Sequence, residues 1–270
     1  MNTKWNMVFF MFLGLTGAVL LLYASLAACF NKRDKHKYFA LSAGISSASA
    51  SLIILLGLNE FSRMLNILMR PYSGLSTALL MQLAAAFFSF LLFFKGKTSS
   101  AVRNISVIVS LAAVFCLSRN YMIITRPALN TYLFSAFLIV SAIFAAWNLI
   151  SINKDLTLDE ALTSNAGAVI ISVYGLILLI FSLRVGWLEP EDRIFSFAKL
   201  IYGSYAPIFW MTVVLSFVVP LAITVFSSVR KKAVASVICC ASFAAGIFLL
   251  SVLINQMPVL NDSINNRFIF

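Results

Sequence analysis

The feature that most limits what this chain can become is the alternation of long uncharged apolar runs with short polar or basic interruptions. Residues 5–31 carry no charged side chain, and Lys32-Arg33-Asp34-Lys35-His36-Lys37 then ends the run. The pattern repeats to the end of the 270-residue chain. A run of about 20 apolar residues is the length of helix that crosses the hydrocarbon of a bilayer. Water is missing there, so each run must satisfy its backbone internally, as a helix does. The composition agrees: 61% of residues are hydrophobic and 11% charged, where a soluble domain carries about a quarter charged. The sequence therefore predicts an all-α, polytopic integral membrane protein, an eight-transmembrane-helix bundle forming one membrane domain.

The expected spans are 7–29, 39–58, 74–94, 105–118, 131–150, 166–183, 205–229 and 233–254. The first run is too long for the apolar core of a cleaved signal peptide, so it is read as a span. The second is rich in small residues, among them Ser42, Gly44, Ser46, Ser47, Ser49 and Ser51, which let helices approach closely in lipid. The fourth is short, which brings Arg119 close to the interface, where a long side chain snorkels to water. The seventh contains Pro207 and Pro220.

Eight spans put both termini on one side. The connections after spans 1, 3, 5 and 7 hold eleven of the 20 Lys and Arg, mostly in compact clusters beside the spans; the opposite side holds nine, dispersed. Compact clusters flanking spans mark the cytoplasmic side. The termini and the connections 2–3, 4–5 and 6–7 are thus expected outside, which for a bacterial cytoplasmic (inner) membrane is the periplasmic face. The net charge of +11 is explained by topology and anionic membrane lipid, and nucleic acid is not an expected partner.

Two outer connections stand out. In residues 57–82, Asn59, Arg63, Asn66 and Arg70 recur at the spacing of one helical stripe, while Phe61, Leu65 and Leu68 take another face. That pattern suits a helix lying in the headgroup layer and ending at Pro71. Residues 118–130 repeat the theme, since Arg119 and Arg126 are again seven apart and Pro127 follows the second. Glu189-Pro190-Glu191-Asp192 and the following Arg193–Lys199 segment could form a further interfacial helix. Either these arginines anchor helix ends, or the face keeps them for an acidic partner or polar ligand.

The remaining chemistry is sparse. The one histidine, His36, sits in a basic connection, so a bis-histidine haem has no ligand pair. The four cysteines lie in apolar runs with no Cys-x-x-Cys pair, so neither an iron–sulfur cluster nor a zinc site is expected in this chain. No acidic residue falls deep inside a span, unlike the carboxylate relays of proton-driven pumps.

Residues 58–70, with Arg63, Asn66 and Arg70, and the run Thr125-Arg126-Pro127-Ala128-Leu129-Asn130-Thr131 resemble two connections of the dimethyl sulfoxide reductase membrane anchor subunit, the DmsC-type family. Eight spans with outer termini also fit that family. The resemblance implies a membrane anchor subunit of an anaerobic respiratory molybdoenzyme. Its partners would be a ferredoxin-like iron–sulfur subunit and a molybdopterin catalytic subunit. Its bound substrate would be menaquinol, whose electrons pass to the iron–sulfur subunit, and it would carry no haem.

The ungapped match places Gly57 and Leu79 where the family has a histidine and a glutamate tied to menaquinol binding. The nearest polar groups are Glu60 and Gln82, each about one helical turn away. Oxidising a quinol needs an apolar slot, partners for two hydroxyls and a base. Glu60 is the only carboxylate in the stretch and the candidate proton acceptor. Arg63, Asn66, Arg70, Tyr72, Gln82, Tyr121, Arg126 and Asn130 are the candidate quinol-binding or docking residues. Two alternatives stay open: a diverged anchor without quinol chemistry, and a small-molecule membrane transporter with polar or broken spans near the midplane.

Overall fold

The computed structural model describes residues 5–29, 35–57, 73–94, 99–122, 131–152, 160–186, 201–203, 206–225 and 233–256. Among them the regular structure is helical. The helices are α1 (Trp5–Cys29), α2 (Lys35–Leu56), α3 (Gly74–Phe94), α4 (Ser100–Arg119), α5 (Tyr132–Ile152), α6 (Glu160–Gly186), α7 and α8 (Ala233–Gln256). Helix α7 has three consecutive pieces, α-helical over Ala206–Val213, π-helical over Val214–Val218 and α-helical again over Val219–Val225. Seven of these helices, all but α6, are long and apolar enough within the described residues to cross a membrane. In α6 the described apolar stretch is Ala166–Ile177. The chain is thus a multi-pass helical membrane protein.

The helices form two groups. In the first, α1 packs on α2, α3 and α4, while α3 packs on both α2 and α4. In the second, α5 packs on α6 and α8, and α7 packs on α6 and α8. Helix α1 joins the groups because its other side meets α5 and α8. It is apolar all round, the composition of a helix surrounded by others. Its buried Phe10, Met11 and Leu21 fill the first group, and Phe12 meets α8 through an edge-on contact with Phe248 at 5.3 Å. The hydroxyls of Ser118 and Ser135, 2.6 Å apart, tie α4 to α5 as a second seam.

Helix α4 starts at Ser100, five residues before the apolar run from which the span 105–118 was read. Ser99 caps it by accepting the Val102 N–H. Arg103 then fits inside the helix because its guanidinium Nη1 donates to the Ala28 carbonyl, 2.8 Å away, in the last turn of α1. A cation at the carbonyl end of a helix is stabilised by the helix dipole and by the unpaired carbonyls there.

The π segment of α7 has a cause in sequence. Pro220 brings no N–H to the carbonyl of Ser216, so the regular ladder cannot run through it. One residue earlier, the Val219 N–H reaches back to Val214, five residues away, and the helix widens. The wide turn lies against Gly246 of α8, where a β-carbon would stand 2.8 Å from the Ser216 backbone nitrogen. Only glycine permits that approach.

Candidate functional site

Of the sequence-derived candidates, Glu60, Arg63, Asn66, Arg70, Tyr72, Arg126 and Asn130 lie outside the described residues, as do the interfacial helices expected in 59–70 and 189–199. Gln82 and Tyr121 lie within them.

The structure joins the ends from which the two matched connections leave the bundle. Gly57, at the end of α2, lies against Asn6 of α1. Gly74, at the start of α3, lies against the backbone of Arg119 and Asn120 at the end of α4. Tyr121 is buried just past α4, and its hydroxyl donates to the Met7 carbonyl in the first turns of α1, 3.1 Å away. Connections 58–72 and 123–130 therefore start from one end of the first group, beside the N-terminal end of α1. This is the end that the charge pattern assigns to the outside. Serine and threonine caps fix where the next helices begin. Ser73 accepts the Ser76 N–H at 3.2 Å to open α3, and Thr131 accepts the Leu133 N–H at 3.3 Å to open α5. The threonine that closes the second matched run thus has a capping role.

Gln82 sits below this end. It lies eight residues into α3, about 12 Å along the axis at 1.5 Å per residue. It occupies the buried face of α3 together with Ala78, Leu79, Ala85, Ala86 and Ser89. It has no exposed surface. Neither its Oε1 nor its Nε2 has a hydrogen-bond partner among the described residues. Its amide faces Gly14 of α1, where a β-carbon would stand 3.0 Å from Nε2 and 3.1 Å from the Leu117 side chain of α4. Glycine at 14 thus makes the space in which the amide lies.

An amide offers two donor hydrogens and an acceptor oxygen and takes up no proton at physiological pH. Gln82 can therefore orient a hydroxyl or carbonyl, and proton transfer must fall to another group. Other orphaned buried atoms share this helix group: Ser47 Oγ on α2, Ser76 Oγ in the first turn of α3, and Arg103 Nε on α4. Leu79, at the position matched to the family's glutamate, is 1% exposed and packed in the apolar core. That position contributes no polar atom to a site.

Sequence reading missed the polar contacts of the second group. Tyr174 of α6 is buried, and its hydroxyl donates to Ser216 Oγ in the π segment at 3.1 Å. Ser216 in turn donates to the Thr212 carbonyl at 2.7 Å. Asn148 of α5 donates to the Phe144 carbonyl at 2.9 Å and accepts from the Cys239 thiol of α8 at 3.4 Å. The partners on other helices, Ser216 for Tyr174 and Cys239 for Asn148, lie 42 and 91 residues away along the chain. Among the described residues, no three metal-ligating side chains come together. No family model matches this sequence, and no curated protein matches it either.

Proposed function

We propose that this chain is the membrane anchor subunit of an anaerobic respiratory molybdoenzyme of the dimethyl sulfoxide reductase type. In this reading it crosses a bacterial cytoplasmic membrane eight times with both termini outside. It docks a ferredoxin-like iron–sulfur subunit, and through it the molybdopterin subunit, on its outer face. Menaquinol binds beneath that face and gives up its two electrons one at a time to the nearest cluster of the partner, which passes each on before taking the next.

The observation that carries the reading is the Gln82 amide, wholly buried and without a hydrogen-bond partner among the described residues, below the end from which both matched connections leave. A buried polar group without a partner is costly in hydrocarbon, so this amide suits a polar ligand. A quinol hydroxyl supplies what an amide lacks: an O–H for Oε1 and an oxygen for Nε2. In this reading Glu60 is the proton acceptor, and Arg63, Asn66, Arg70, Tyr72, Arg126 and Asn130 are quinol-binding or docking residues. Tyr121 holds the rim through its bond to Met7.

A second reading has its own observation. Leu79 is packed in the core where the family places a proton-handling glutamate, which favours an anchor that docks partners without oxidising quinol. Isolation from native membranes, followed by titration with a menaquinol analogue, decides between the two. The first reading expects copurified iron–sulfur protein and saturable analogue binding. It expects Gln82→Leu to weaken that binding about tenfold, the worth of one hydrogen bond. It also expects Glu60→Gln to bind normally and lose electron transfer. An iron–sulfur partner without analogue binding selects the second reading. Neither partner nor binding sinks both, and leaves the transporter alternative, for which the π segment of α7 is the interrupted span.

A further inference from the structure

On the side of α1 opposite Gln82, a crevice of about 190 Å³ opens where α1, α5 and α8 meet. Gly14 and Thr16 are two residues apart, about 200° around the helix, so the crevice and the Gln82 amide lie on opposite sides of α1. Thr16 and Val19 form one wall, Ala145 and Asn148 the second, and Cys240 and Phe243 the third. Ala244 at the rim is exposed, so the crevice opens on the surface of the helix bundle.

Its position fixes its solvent. Thr16 is eleven residues into α1, about 17 Å along the axis and near the middle of a hydrocarbon layer about 30 Å thick. Its polar atoms fix the chemistry of its occupant. The Thr16 hydroxyl donates to the Phe12 carbonyl at 2.8 Å. The Asn148 amide donates to the Phe144 carbonyl and accepts from the Cys239 thiol. The surface lining the crevice is almost wholly apolar, and a water molecule needs two or more polar partners to stay in such a space. What remains at that depth is hydrocarbon. With about 30 Å³ for a methylene, near the share of a liquid water, the crevice has room for about six carbons of a chain.

We propose that the crevice binds the end of one acyl chain of a bilayer phospholipid, held between α1, α5 and α8 as a structural ligand that joins the two helix groups. The small side chains of Ala142, Ala145 and Ala244 make the space. The inference is independent of the quinol reading, because Gln82 lies on the far side of α1.

Native mass spectrometry of the gently delipidated protein, with whatever subunits accompany it, tests the proposal. The protein should retain one phospholipid that stays when the others are stripped. Ala145→Leu, which fills the crevice, should lose it, while Ala168→Leu, on an exposed position of α6 away from the crevice, should keep it. Retention of the lipid by Ala145→Leu overturns the proposal, as does recovery of an isoprenoid quinone in its place. If Ala145→Leu does not fold, the unmodified protein answers through a phospholipid with a diazirine near its chain end. Crosslinks concentrated on 12–20, 142–149 and 240–247 support the site, and labelling spread evenly over outward faces such as Val169 and Val173 refutes it.

Discussion

Among the described residues, the buried polar atoms without a hydrogen-bond partner all fall in one of the two helix groups, although that group also satisfies Ser25, Ser51, Ser89, Ser106, Ser110 and Ser118. In α5–α8, the buried polar side chains Ser141, Asn148, Thr212, Ser216 and Ser251 and the Tyr174 hydroxyl all have hydrogen-bond partners, mostly within one turn of their own helix. In α1–α4, Ser47, Ser76, Gln82 and Arg103 each leave at least one buried polar atom unpaired. In lipid nothing outside the protein repairs such a deficit. The difference teaches that the described polar side chains of the second group are satisfied by the protein itself, whereas the first group holds buried polar atoms that no described residue satisfies. The unpaired atoms lie in the group whose end sends out both arginine-bearing connections.

The largest expected effect probes how tightly the scaffold is closed. Gly246→Val drives a branched side chain into the Ser216 backbone, which cannot move aside without unwinding α7. It should cost about 3 kcal/mol or prevent folding, as overpacking does in a dense core. Gly14→Ala meets only the movable end of Gln82 and the tip of Leu117, and should cost about 1 kcal/mol or less. Thermal unfolding in detergent compares the pair, and equal losses would erase the distinction between a contact closed on backbone and one closed on movable side chains.

Asn148→Leu comes next. It keeps the branched outline with bulkier methyl ends and breaks both hydrogen bonds, one of them the link to Cys239 on α8. A loss of about 1 kcal/mol is expected, in the range measured for polar contacts between membrane helices. Tyr174→Phe is smaller, about 0.6 kcal/mol, because Ser216 keeps its bond to Thr212 when the tyrosine hydroxyl goes. A near-zero result for Asn148→Leu would place the second group's polar atoms outside its stability.

The spans were legible because the length of an apolar run is a direct image of hydrocarbon thickness, and seven helices within the described residues answer to it. The position of α1 was not. Its side chains are apolar on every side, so no stripe marks which face meets α2 and which meets α5. Pro220 flagged an irregularity in span 7, yet its form depends on Gly246 and Tyr174 from two other helices. Gln82 was reached through its neighbourhood to a family glutamate. What sets it apart in three dimensions is its fit against Gly14, and a residue 68 positions away leaves no local trace at Gln82. The Asn148–Cys239 and Tyr174–Ser216 contacts escaped for the same reason.

The central claim is that the Gln82 amide has no partner among the described residues, in contrast to that of Asn148. Thermal unfolding of Gln82→Leu in quinol-free detergent, beside Asn148→Leu, tests it most directly. Replacing an unpaired buried amide by an apolar side chain of comparable volume removes a desolvation cost and breaks no bond. Gln82→Leu should therefore unfold at the same temperature as the unmodified protein or slightly above it, while Asn148→Leu unfolds below. A fall for Gln82→Leu as large as that for Asn148→Leu would contradict the account, because the amide would then already be bonded inside the protein.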